Sequence, residues 1–339
     1  MFNKNNTPFI IAEVGQNHQG ELDLAKEYIE VFANAGADAV KFQKRDNKSL
    51  FSEEAYNQIY NSENAFAKTY GEHREKLELK NDWIKLLKSH CDKFNVKFMC
   101  TPFDFQSLSL LEENDVDAYK IASFDMGNLP LINKVLKTNK PIVLSTGGAN
   151  EKHIEETMKV LKETSNEIAL LHCVSEYPCP IDKLNLNMVS KLKAKFPNVI
   201  VGLSDHFNGT LTGPLAYIAG ARVFEKHVTL NRSWKGSDHG FALEPEGFRK
   251  FVRDIKRVPI MFDYQPKNDL GSEPVFMKLG KSITALHEIK KGDLITLDNI
   301  TGTILTKGKI PIRECYKVIG LKAKSDLEPG DALDFDTLE

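Results

Sequence analysis

The sequence predicts an α/β protein in which a (β/α)8 TIM barrel is followed by a small, pseudo-twofold, β-rich domain. Eight short runs of apolar and β-branched residues alternate with amphipathic helical patterns up to about residue 257. Strands that alternate with helices form parallel sheets, and eight such units are typical of a closed barrel. Two copies of one short motif follow a linker near the end of the chain. We expect the barrel to cover residues 1–262, the linker 263–278 and the small domain 279–339.

The predicted strands are short and are separated by lengths of chain that suit a helix. They cover residues 9–13, 38–43, 97–101, 118–122, 141–145, 168–173, 199–203 and 222–226. Helical patterns at about residues 22–35, 81–94 and 209–220 fill three of the intervals. An open doubly wound sheet is the competing topology. Such a sheet usually carries a GxGxxG motif after its first strand, and GQNHQG at residues 15–20 is not that motif.

The composition is that of an ordinary soluble globular protein. The 339 residues are 41% hydrophobic and 27% charged, with a formal net charge of -2. A charge this small argues against nucleic acid or an anionic membrane as a partner. The chain shows no signal peptide and no apolar run long enough to span a bilayer. Its five cysteines are scattered and form no CxxC pair, which favours reduced thiols in a cytoplasmic protein.

Two histidines follow the last two predicted strands directly. His206 ends the sequence GLSDH, and His227 lies in FEKHVT. Because ligands bind beyond the carboxyl ends of the strands in parallel α/β folds, we expect both imidazoles to face one site. Two neutral imidazoles could hold a divalent metal with room left for water and substrate. The alternative is that each histidine only satisfies a strand-end hydrogen bond, and the matched pair favours the metal.

Polar side chains also follow the other predicted strands, as expected for the functional end of a barrel. They are Glu13, Asn17, His18, Gln43, Thr101, Ser123, Ser145, Thr146, His172 and Tyr177. Lys41 and Lys120 lie within apolar strands, where an ammonium group costs free energy unless it meets an anion. The two lysines and nearby hydroxyls therefore predict a site for a phosphate or carboxylate. The alternative is that both lysines extend to solvent from outer faces.

An insertion over residues 46–79 is too long for an ordinary loop between a strand and a helix. Long insertions on this face of a barrel are usually lids or substrate loops. A solvated, charged helix is equally compatible with the composition of the insertion.

The end of the chain contains an internal repeat. Residues 259–274 are rich in Pro, Gly, Asp and Asn, which indicates a linker. Residues 282–300 then align without gaps on residues 320–338, and Gly292 aligns with Gly330. So short a unit cannot bury a core alone, so we expect the two copies to pack as one pseudo-symmetric β domain.

A series of motifs, in order, gives the chain its resemblance to a known family. They are IAEVGQNHQG, VKFQ, TYGEHREKLEL, CTPFD, YKIAS, VLSTGG, LHCVSEYPCP, GLSDH, FEKHVT, GSDHGFALEP and the terminal repeat. With these motifs the chain resembles the sialic acid (nonulosonic acid) synthases, which are N-acetylneuraminate synthase-like enzymes with a C-terminal antifreeze-like (SAF) domain. The resemblance implies condensation of phosphoenolpyruvate with an N-acylmannosamine-type aldose, giving a nine-carbon keto sugar acid and phosphate.

The resemblance also implies roles for individual residues. His206 and His227 would bind the catalytic divalent metal, typically Mn²⁺ with Mg²⁺ or Co²⁺ as alternatives, and Glu13 would handle protons. The phosphoenolpyruvate set would be Lys41, Thr101, Lys120, Ser123, Ser145 and Ser204. The sugar set would be Gln43, Asp125, Tyr177, Asp238 and Lys281. In this family a two-fold homodimer places the small domain over the partner's active site.

The sequence departs from the family pattern where the small domain begins. The segment KLGKS around Lys281 lacks the arginine that reaches the N-acyl group of the sugar in the family, and a lysine does not reproduce the planar fork of arginine. The acceptor is therefore open between N-acetylmannosamine, a di-N-acetylated 6-deoxy sugar of the legionaminic or pseudaminic type, and mannose.

A related enzyme that condenses phosphoenolpyruvate with an aldose to make a seven- or eight-carbon keto acid is one alternative. Barrels of that kind lack the terminal repeat, so the repeat argues against it. A non-catalytic sugar- or ice-binding protein is the alternative outside enzymes.

Overall fold

The computed structural model describes residues 1–2, 7–162, 164–264, 266–267 and 271–339. These residues divide into two compact units, Met1–Asp263 and Tyr264–Glu339. No helix in these ranges is both long enough and apolar enough to cross a bilayer.

The first unit is a closed barrel of eight parallel strands, as predicted. The strands are β1 (Phe9–Gly15), β2 (Ala39–Lys44), β3 (Lys97–Pro102), β4 (Ala118–Ile121), β5 (Ile142–Ser145), β6 (Ile168–Cys173), β7 (Ile200–Asp205) and β8 (Val223–His227). Each strand pairs with its neighbours in sequence, and β8 closes the barrel on β1. His227 is the last residue of β8, whereas the sequence placed it after the strand.

The described residues of this unit form eleven α-helices. They are α1 (Leu22–Asn34), α2 (Asn47–Leu50), α3 (Glu53–Asn57), α4 (Tyr70–Lys76), α5 (Trp83–Lys93), α6 (Phe105–Glu113), α7 (Leu129–Leu136), α8 (Glu151–Leu161), α9 (Asn187–Lys195), α10 (Thr212–Ala219) and α11 (Pro245–Met261). The helices α2, α3 and α4 are short and belong to the long insertion. The others alternate with the strands, and their apolar faces form one large core with the outward side chains of the sheet.

The barrel interior consists of an apolar layer beneath a polar one, because alternate strand residues face inward. The apolar layer includes Ile11 on β1, Met99 on β3 and Val223 on β8, and Phe2 packs against it. Two residues further along β1 and β8 stand Glu13 and Glu225, both buried. The sequence alternation therefore fills the base of the barrel with hydrocarbon and collects charged groups at the carboxyl end of the strands.

An ion pair is also buried on the outer side of the sheet. Lys226 of β8 lies 2.6 Å from Asp205 of β7, and both side chains are almost fully excluded from solvent. The ammonium group also faces the ring of Phe251 on α11 at 6.0 Å. Lys226 is thus outside the barrel while its neighbours Glu225 and His227 are inside.

The second unit has a separate hydrophobic core and the internal symmetry that the repeat predicts. It contains α12 (Pro274–Leu279) and the antiparallel strands β9 (Ser282–Ala285) and β10 (Ile300–Thr303). The backbone N–H of Gly292 donates to Ala323 at 2.7 Å, and Gly330 donates to Ala285 at 2.8 Å. These are equivalent bonds exchanged between the two copies.

The helix α12 overlaps the end of the expected linker, residues 263–278. Pro274 stands in its first turn, where a missing N–H costs nothing. Residues 265 and 268–270 of the predicted linker lie outside the described residues.

Gly202 provides a test of how tightly the barrel interior is packed. A Cβ at this position would overlap the Val223 carbonyl oxygen and the Leu171 side chain. We expect Gly202→Ala to lower the free energy of unfolding by roughly 1–3 kcal/mol through overpacking. Both tryptophans, Trp83 and Trp234, lie in the first unit, so urea unfolding followed by tryptophan fluorescence measures this loss.

Gly247→Ala is the matched control. Gly247 lies in α11 and a Cβ there would make an ordinary contact of 3.5 Å with Leu243. This change should raise the unfolding free energy by about 0.5–1 kcal/mol, because alanine favours the helix. Surface substitutions usually change the unfolding free energy by no more than about 0.5 kcal/mol. A loss smaller than that for Gly202→Ala would contradict tight packing of the barrel interior.

Candidate active site

A cavity of about 440 Å³ opens at the carboxyl ends of the strands. The lining residues that the sequence predicted are Glu13, Lys41, Gln43, Thr101, Lys120, Ser123, Ser145, Tyr177, Ser204, His206, His227 and Asp238. Those that it missed are Gln16, Arg45, Asn64, Arg74, Phe103, Ala122, Phe124, Cys173, Glu225 and Ser237. One cavity therefore brings together most of the predicted site residues from all eight strands.

The register of the sheet places three of these residues in one row. Glu13 on β1 is directly beside Lys41 on β2 and His227 on β8. The Lys41 ammonium lies 2.6 Å from Glu13 Oε2, and Gln43 Nε2 donates to Glu13 Oε1 at 2.8 Å. The Glu13 carboxylate is thus held on both oxygens. It is oriented by neighbouring strands rather than by a loop.

Gly15 keeps the space beside this carboxylate open. Its φ of 57° is in the left-handed region, and a Cβ would lie 3.2 Å from both Glu13 Oε1 and Gln43 Nε2. A side chain at this position would be strained and would press on the two groups, so glycine suits both the backbone and the cavity.

Glu225 completes a buried cluster of four charges and was missed by the sequence reading. Its carboxylate lies 3.6 Å from Lys41 and 3.7 Å from Lys120, and it accepts a hydrogen bond from Ser204 at 3.1 Å. The sequence predicted an anionic ligand at the two lysines, and two protein carboxylates, Glu13 and Glu225, already supply part of that charge. Alternate residues of a strand face the same side, so Glu225 faces the same side as His227 on β8. This alternation could have predicted Glu225 from the sequence.

The four charges shift one another's pKa values. Burial raises the pKa of Glu13 above its ordinary value, although Lys41 opposes the shift. Burial acts in the same direction on Glu225, but the charges of Lys120 and Lys41 outweigh it and hold the pKa of Glu225 well below its usual range. Burial lowers the pKa of Lys120. Of the two carboxyl groups, Glu13 is therefore the one closer to accepting a proton.

Hydroxyl groups lie beside the two lysines. Thr101 Oγ1 accepts a hydrogen bond from Lys41 at 3.3 Å. Ser145 Oγ is buried and has no hydrogen-bond partner among the described residues. An unpaired buried hydroxyl costs free energy, which indicates that a ligand supplies its partner.

Ser123 is positioned by a close approach of the backbone. Its hydroxyl accepts from the N–H of Gly147 at 3.1 Å and contacts Cys173 Sγ at 3.4 Å. A Cβ at residue 147 would lie 2.7 Å from Ser123 Oγ and would overlap Ser175. Glycine is needed here so that the loop after β5 can reach the cavity wall.

The two histidines lie next to each other at the cavity. Their ring centroids are 5.3 Å apart, and the ring of Tyr177 is 4.1 Å from that of His206. His206 Nδ1 lies 2.8 Å from the carbonyl oxygen of Val174. His227 Nδ1 is buried, lies 3.9 Å from Asp238, and has no hydrogen-bond partner within the described ranges. Burial lowers the pKa of His227 to about 3, so its ring is neutral.

These two imidazoles fit a divalent metal ion. His206 turns Nδ1 to the Val174 carbonyl, which leaves Nε2 as its nitrogen for a metal, an orientation common among metal-binding histidines. Burial lowers the pKa of His206, but its contact with Cys173 outweighs burial and raises the pKa above the ordinary value, so a metal would have to displace a proton from this ring. His227 offers an unpaired nitrogen. No group of three or more His, Cys, Asp or Glu residues in the described part of the chain could hold a metal. The remaining ligands would therefore come from water or substrate.

The long insertion forms part of the cavity wall. Asn64 and Arg74 line the cavity, and Arg74 is on α4. This helix begins with a capping box between Thr69 and Glu72, and its His73 ring is buried against Tyr60 at 4.7 Å. The insertion is thus a folded wall with a buried side, which is closer to the substrate-loop hypothesis than to a fully solvated helix.

Five residues predicted at the strand ends do not line the cavity. They are Asn17, His18, Asp125, Thr146 and His172. Asn17 and Thr146 donate to the backbone carbonyls of Val228 and Leu171, and the His172 ring contacts the carbonyl of Leu184. His18 accepts from the N–H of Gly20, and Asp125 accepts from the amide of Asn128. Each of these side chains satisfies a nearby polar group, which is the other common use of a polar residue after a strand.

Lys281 belongs to the second unit, where it directly precedes β9. Its predicted contact with a sugar stays a prediction, and so does the homodimer in which the small domain covers the partner's site.

Comparison with known proteins identifies the family. The NeuB family model matches residues 28–266, which is most of the chain. The chain belongs to the NeuB family. It is 39% identical to the N,N'-diacetyllegionaminic acid synthase of Campylobacter jejuni, over 86% of this chain and 89% of that protein. It is 33% identical to the N-acetylneuraminate-9-phosphate synthase of Homo sapiens, over 96% of this chain and 91% of the human protein.

A solved structure agrees with this assignment. The N-acetylneuraminic acid (sialic acid) synthetase of Leptospira borgpetersenii serovar Hardjo-bovis, in complex with citrate, superposes with a TM-score of 0.70. The two sequences are 33% identical, and the match covers 79% of this chain and 90% of that one. Members of the NeuB family thus share this barrel.

The contribution of the four buried charges to stability can be tested by removing one of them. Glu225→Gln keeps the shape of the side chain but leaves Lys41 and Lys120 with Glu13 as their nearest carboxylate. We expect the free energy of unfolding to fall by about 3–5 kcal/mol, because an uncompensated buried charge remains. The measurement is urea unfolding at pH 7, with tryptophan fluorescence as the signal.

Glu246→Gln is the control, because Glu246 is exposed on α11 and pairs there with Arg249 at 3.0 Å. Its loss should stay within about 0.5 kcal/mol. Equal losses for the two variants would show that the buried cluster contributes no more than a surface ion pair.

Proposed function

We propose that this NeuB-family chain condenses phosphoenolpyruvate with an N-acylmannosamine-type aldose, giving a nine-carbon sialic-acid-like keto sugar acid and phosphate. One observation carries the proposal. Two buried lysines and a serine hydroxyl without a hydrogen-bond partner among the described residues share a single cavity with two adjacent imidazoles. The first set suits an anionic substrate, and the second suits a metal that activates a carbonyl. The named activities of the human and Campylobacter relatives support the same reaction class.

Phosphoenolpyruvate would bind at the base of the cavity. Its phosphate and carboxylate would meet Lys41 and Lys120, with hydrogen bonds from Ser145 and the other hydroxyls there. The free Ser145 hydroxyl would gain a partner. Because Glu13 and Glu225 offset the lysine charges, uptake of a proton by Glu13 would favour the bound anion, and its raised pKa makes that uptake easier.

The sugar would bind above it as the open-chain aldehyde. A divalent ion held by His206 and His227 would supply Lewis-acid polarisation of the aldehyde oxygen. C3 of phosphoenolpyruvate then forms a bond to the aldehyde carbon, water adds at C2, and the C2–O bond breaks as phosphate leaves. Glu13 is within reach of both lysine and histidine neighbours in its row, so it would hold and move the protons of these steps.

Phosphate release is the direct test. The protein should release phosphate from phosphoenolpyruvate when an N-acylmannosamine-type aldose is present, and not when the aldose is omitted. Lys120→Met should raise the KM for phosphoenolpyruvate by about tenfold or more while changing the KM for the sugar little, because one charge-assisted contact is lost. Lys159→Met, at an exposed pair on α8, is the matched control.

Two outcomes of this assay would count against the proposal. Sugar binding with no phosphate release from any acceptor would favour a sugar-binding protein. Equal increases in both KM values would move Lys120 away from the phosphoenolpyruvate site.

Metal dependence is a separate prediction. Protein treated with EDTA should lose activity and regain it on addition of Mn²⁺, because aldehyde activation requires the ion in this proposal. His227→Ala should weaken Mn²⁺ binding, measured by equilibrium dialysis, by about 10-fold or more because a protein ligand is removed. His153→Ala, on the exposed start of α8, should bind Mn²⁺ as the unchanged protein does. Full activity after EDTA treatment would contradict the metal assignment.

A further inference from the structure

Two arginines lie at the outer part of the cavity, away from the lysines at its base. Arg45 follows β2 directly, and Arg74 is on α4 of the insertion. Both line the cavity and both are half-buried, whereas Lys41 is only 2% exposed. The cavity therefore has a second cationic region nearer its opening.

Neither guanidinium forms an ion pair with a carboxylate among the described residues. Arg45 Nη2 donates to Gln43 Oε1 at 2.6 Å, and its guanidinium stacks 3.9 Å from the ring centroid of Phe103. Arg74 Nη1 donates to Gln16 Oε1 at 2.6 Å, and its Nε and Nη2 donate to the Tyr70 hydroxyl at 3.0 and 2.7 Å. Neutral partners thus hold both groups in place, and each guanidinium keeps N–H donors beyond those used in these bonds.

The nearby carboxylates are engaged elsewhere. Glu78 accepts hydrogen bonds from the Lys44 ammonium at 3.2 Å and from the backbone N–H of Arg45 at 3.1 Å. Asp238 accepts from the Ser237 hydroxyl at 2.7 Å and lies beside His227. Glu78 and Asp238 therefore offset part of the Arg45 charge, but neither forms an ion pair with Arg45 or Arg74 in the described part of the chain.

The two arginines are also close enough to repel each other. Burial lowers the pKa of Arg45 to about 10, and the charge of Arg74 adds to the effect. If the arginines only positioned Gln43 and Gln16, neutral donors could do so without this repulsion. Two like charges with free N–H donors on one cavity wall are the arrangement that recognises a phosphate or a carboxylate.

We propose that Arg45 and Arg74 bind an anionic group on the acceptor sugar, at the end remote from its aldehyde. The inference rests on the proposed function and specifies its substrate class. The aldehyde must reach the imidazoles and Lys41 deep in the cavity, so the far end of the open sugar chain extends toward the opening, where the arginines lie. A hexosamine with a phosphate or carboxylate at C6 has its charge at that end.

The chemistry of the reaction separates this class from the alternatives. Phosphoenolpyruvate loses its own phosphate, so a phosphate on the last carbon of the product must arrive with the acceptor. The human relative's name specifies such a 9-phosphate product. A di-N-acetylated 6-deoxy acceptor has no group at C6 for two arginines to bind. The arginine pair thus favours a charged acceptor, although the identity to the legionaminic acid synthase is higher.

The test compares four acceptors with the unchanged protein. They are N-acetylmannosamine, its 6-phosphate, the corresponding 6-carboxylate and a 2,4-di-N-acetylated 6-deoxy hexose. At least one of the two anionic sugars should have a KM about tenfold or more below both uncharged sugars, as expected for charge-assisted contacts. The anionic sugar with the lower KM then identifies phosphate or carboxylate as the group that is bound.

Variants locate the contact. Arg45→Gln and Arg74→Gln should each remove most of the preference for the anionic sugar and leave the KM for phosphoenolpyruvate within about twofold. Arg249→Gln, at an exposed ion pair on α11, should keep the preference.

The outcomes distinguish the inference from the proposed function. Equal KM values for charged and uncharged acceptors in the unchanged protein would overturn the inference and leave the function intact. A rise in the KM for phosphoenolpyruvate as large as that for the sugar would also overturn it, because the arginines would then serve the other substrate. Absence of phosphate release with all four acceptors would overturn both.

Discussion

The structure depends on four charges buried inside the barrel, directly above its apolar layer. Two lysines and two glutamates on β1, β2, β4 and β8 are linked by three lysine–carboxylate contacts of 2.6, 3.6 and 3.7 Å. Each of these groups would be costly to bury alone, and together they are tolerated because every ammonium faces a carboxylate. The cluster fixes which way the inward side chains of these strands point, and it makes the base of the cavity nearly neutral until a substrate or a proton arrives.

The base of the cavity is therefore nearly neutral, whereas the region near its opening carries two arginines. At the base, positive and negative groups balance, so in the proposed reaction binding of an anion there would depend on proton uptake and on uncharged hydroxyls. Near the opening, Arg45 and Arg74 form no ion pair with a carboxylate in the described ranges. In the proposed reaction the inner region would select its substrate by hydrogen bonds and proton balance, and the outer region would select by net charge. The imidazoles of His206 and His227, which we propose hold the metal, lie beside the inner region, and His227 is in the same row as Glu13.

The sequence predicted the barrel and most of the cavity because the fold converts position along a strand into position in space. Lys41, Lys120 and the two histidines were found in this way. Glu225 was missed because only the polar residue at the strand end, His227, was considered. The residue two places before it faces the same way. Arg74 was missed because an insertion has no periodicity that aims its side chains. Asn17 and the other strand-end residues outside the cavity were predicted to be functional but are not in the site. Polar residues also follow strands because they form local hydrogen bonds.

The alternation in β8 has a consequence for how this enzyme family can change over time. Three consecutive polar residues, Glu225, Lys226 and His227, face in, out and in, and the outer one completes an ion pair with Asp205. Deleting or inserting one residue in this strand would turn the lysine into the cavity and expel the glutamate and the histidine. The apolar content would be unchanged, so the mutant could still collapse, but its interior would carry the wrong charges. Viable length variation is therefore confined to the loops, such as the insertion that already forms the cavity wall.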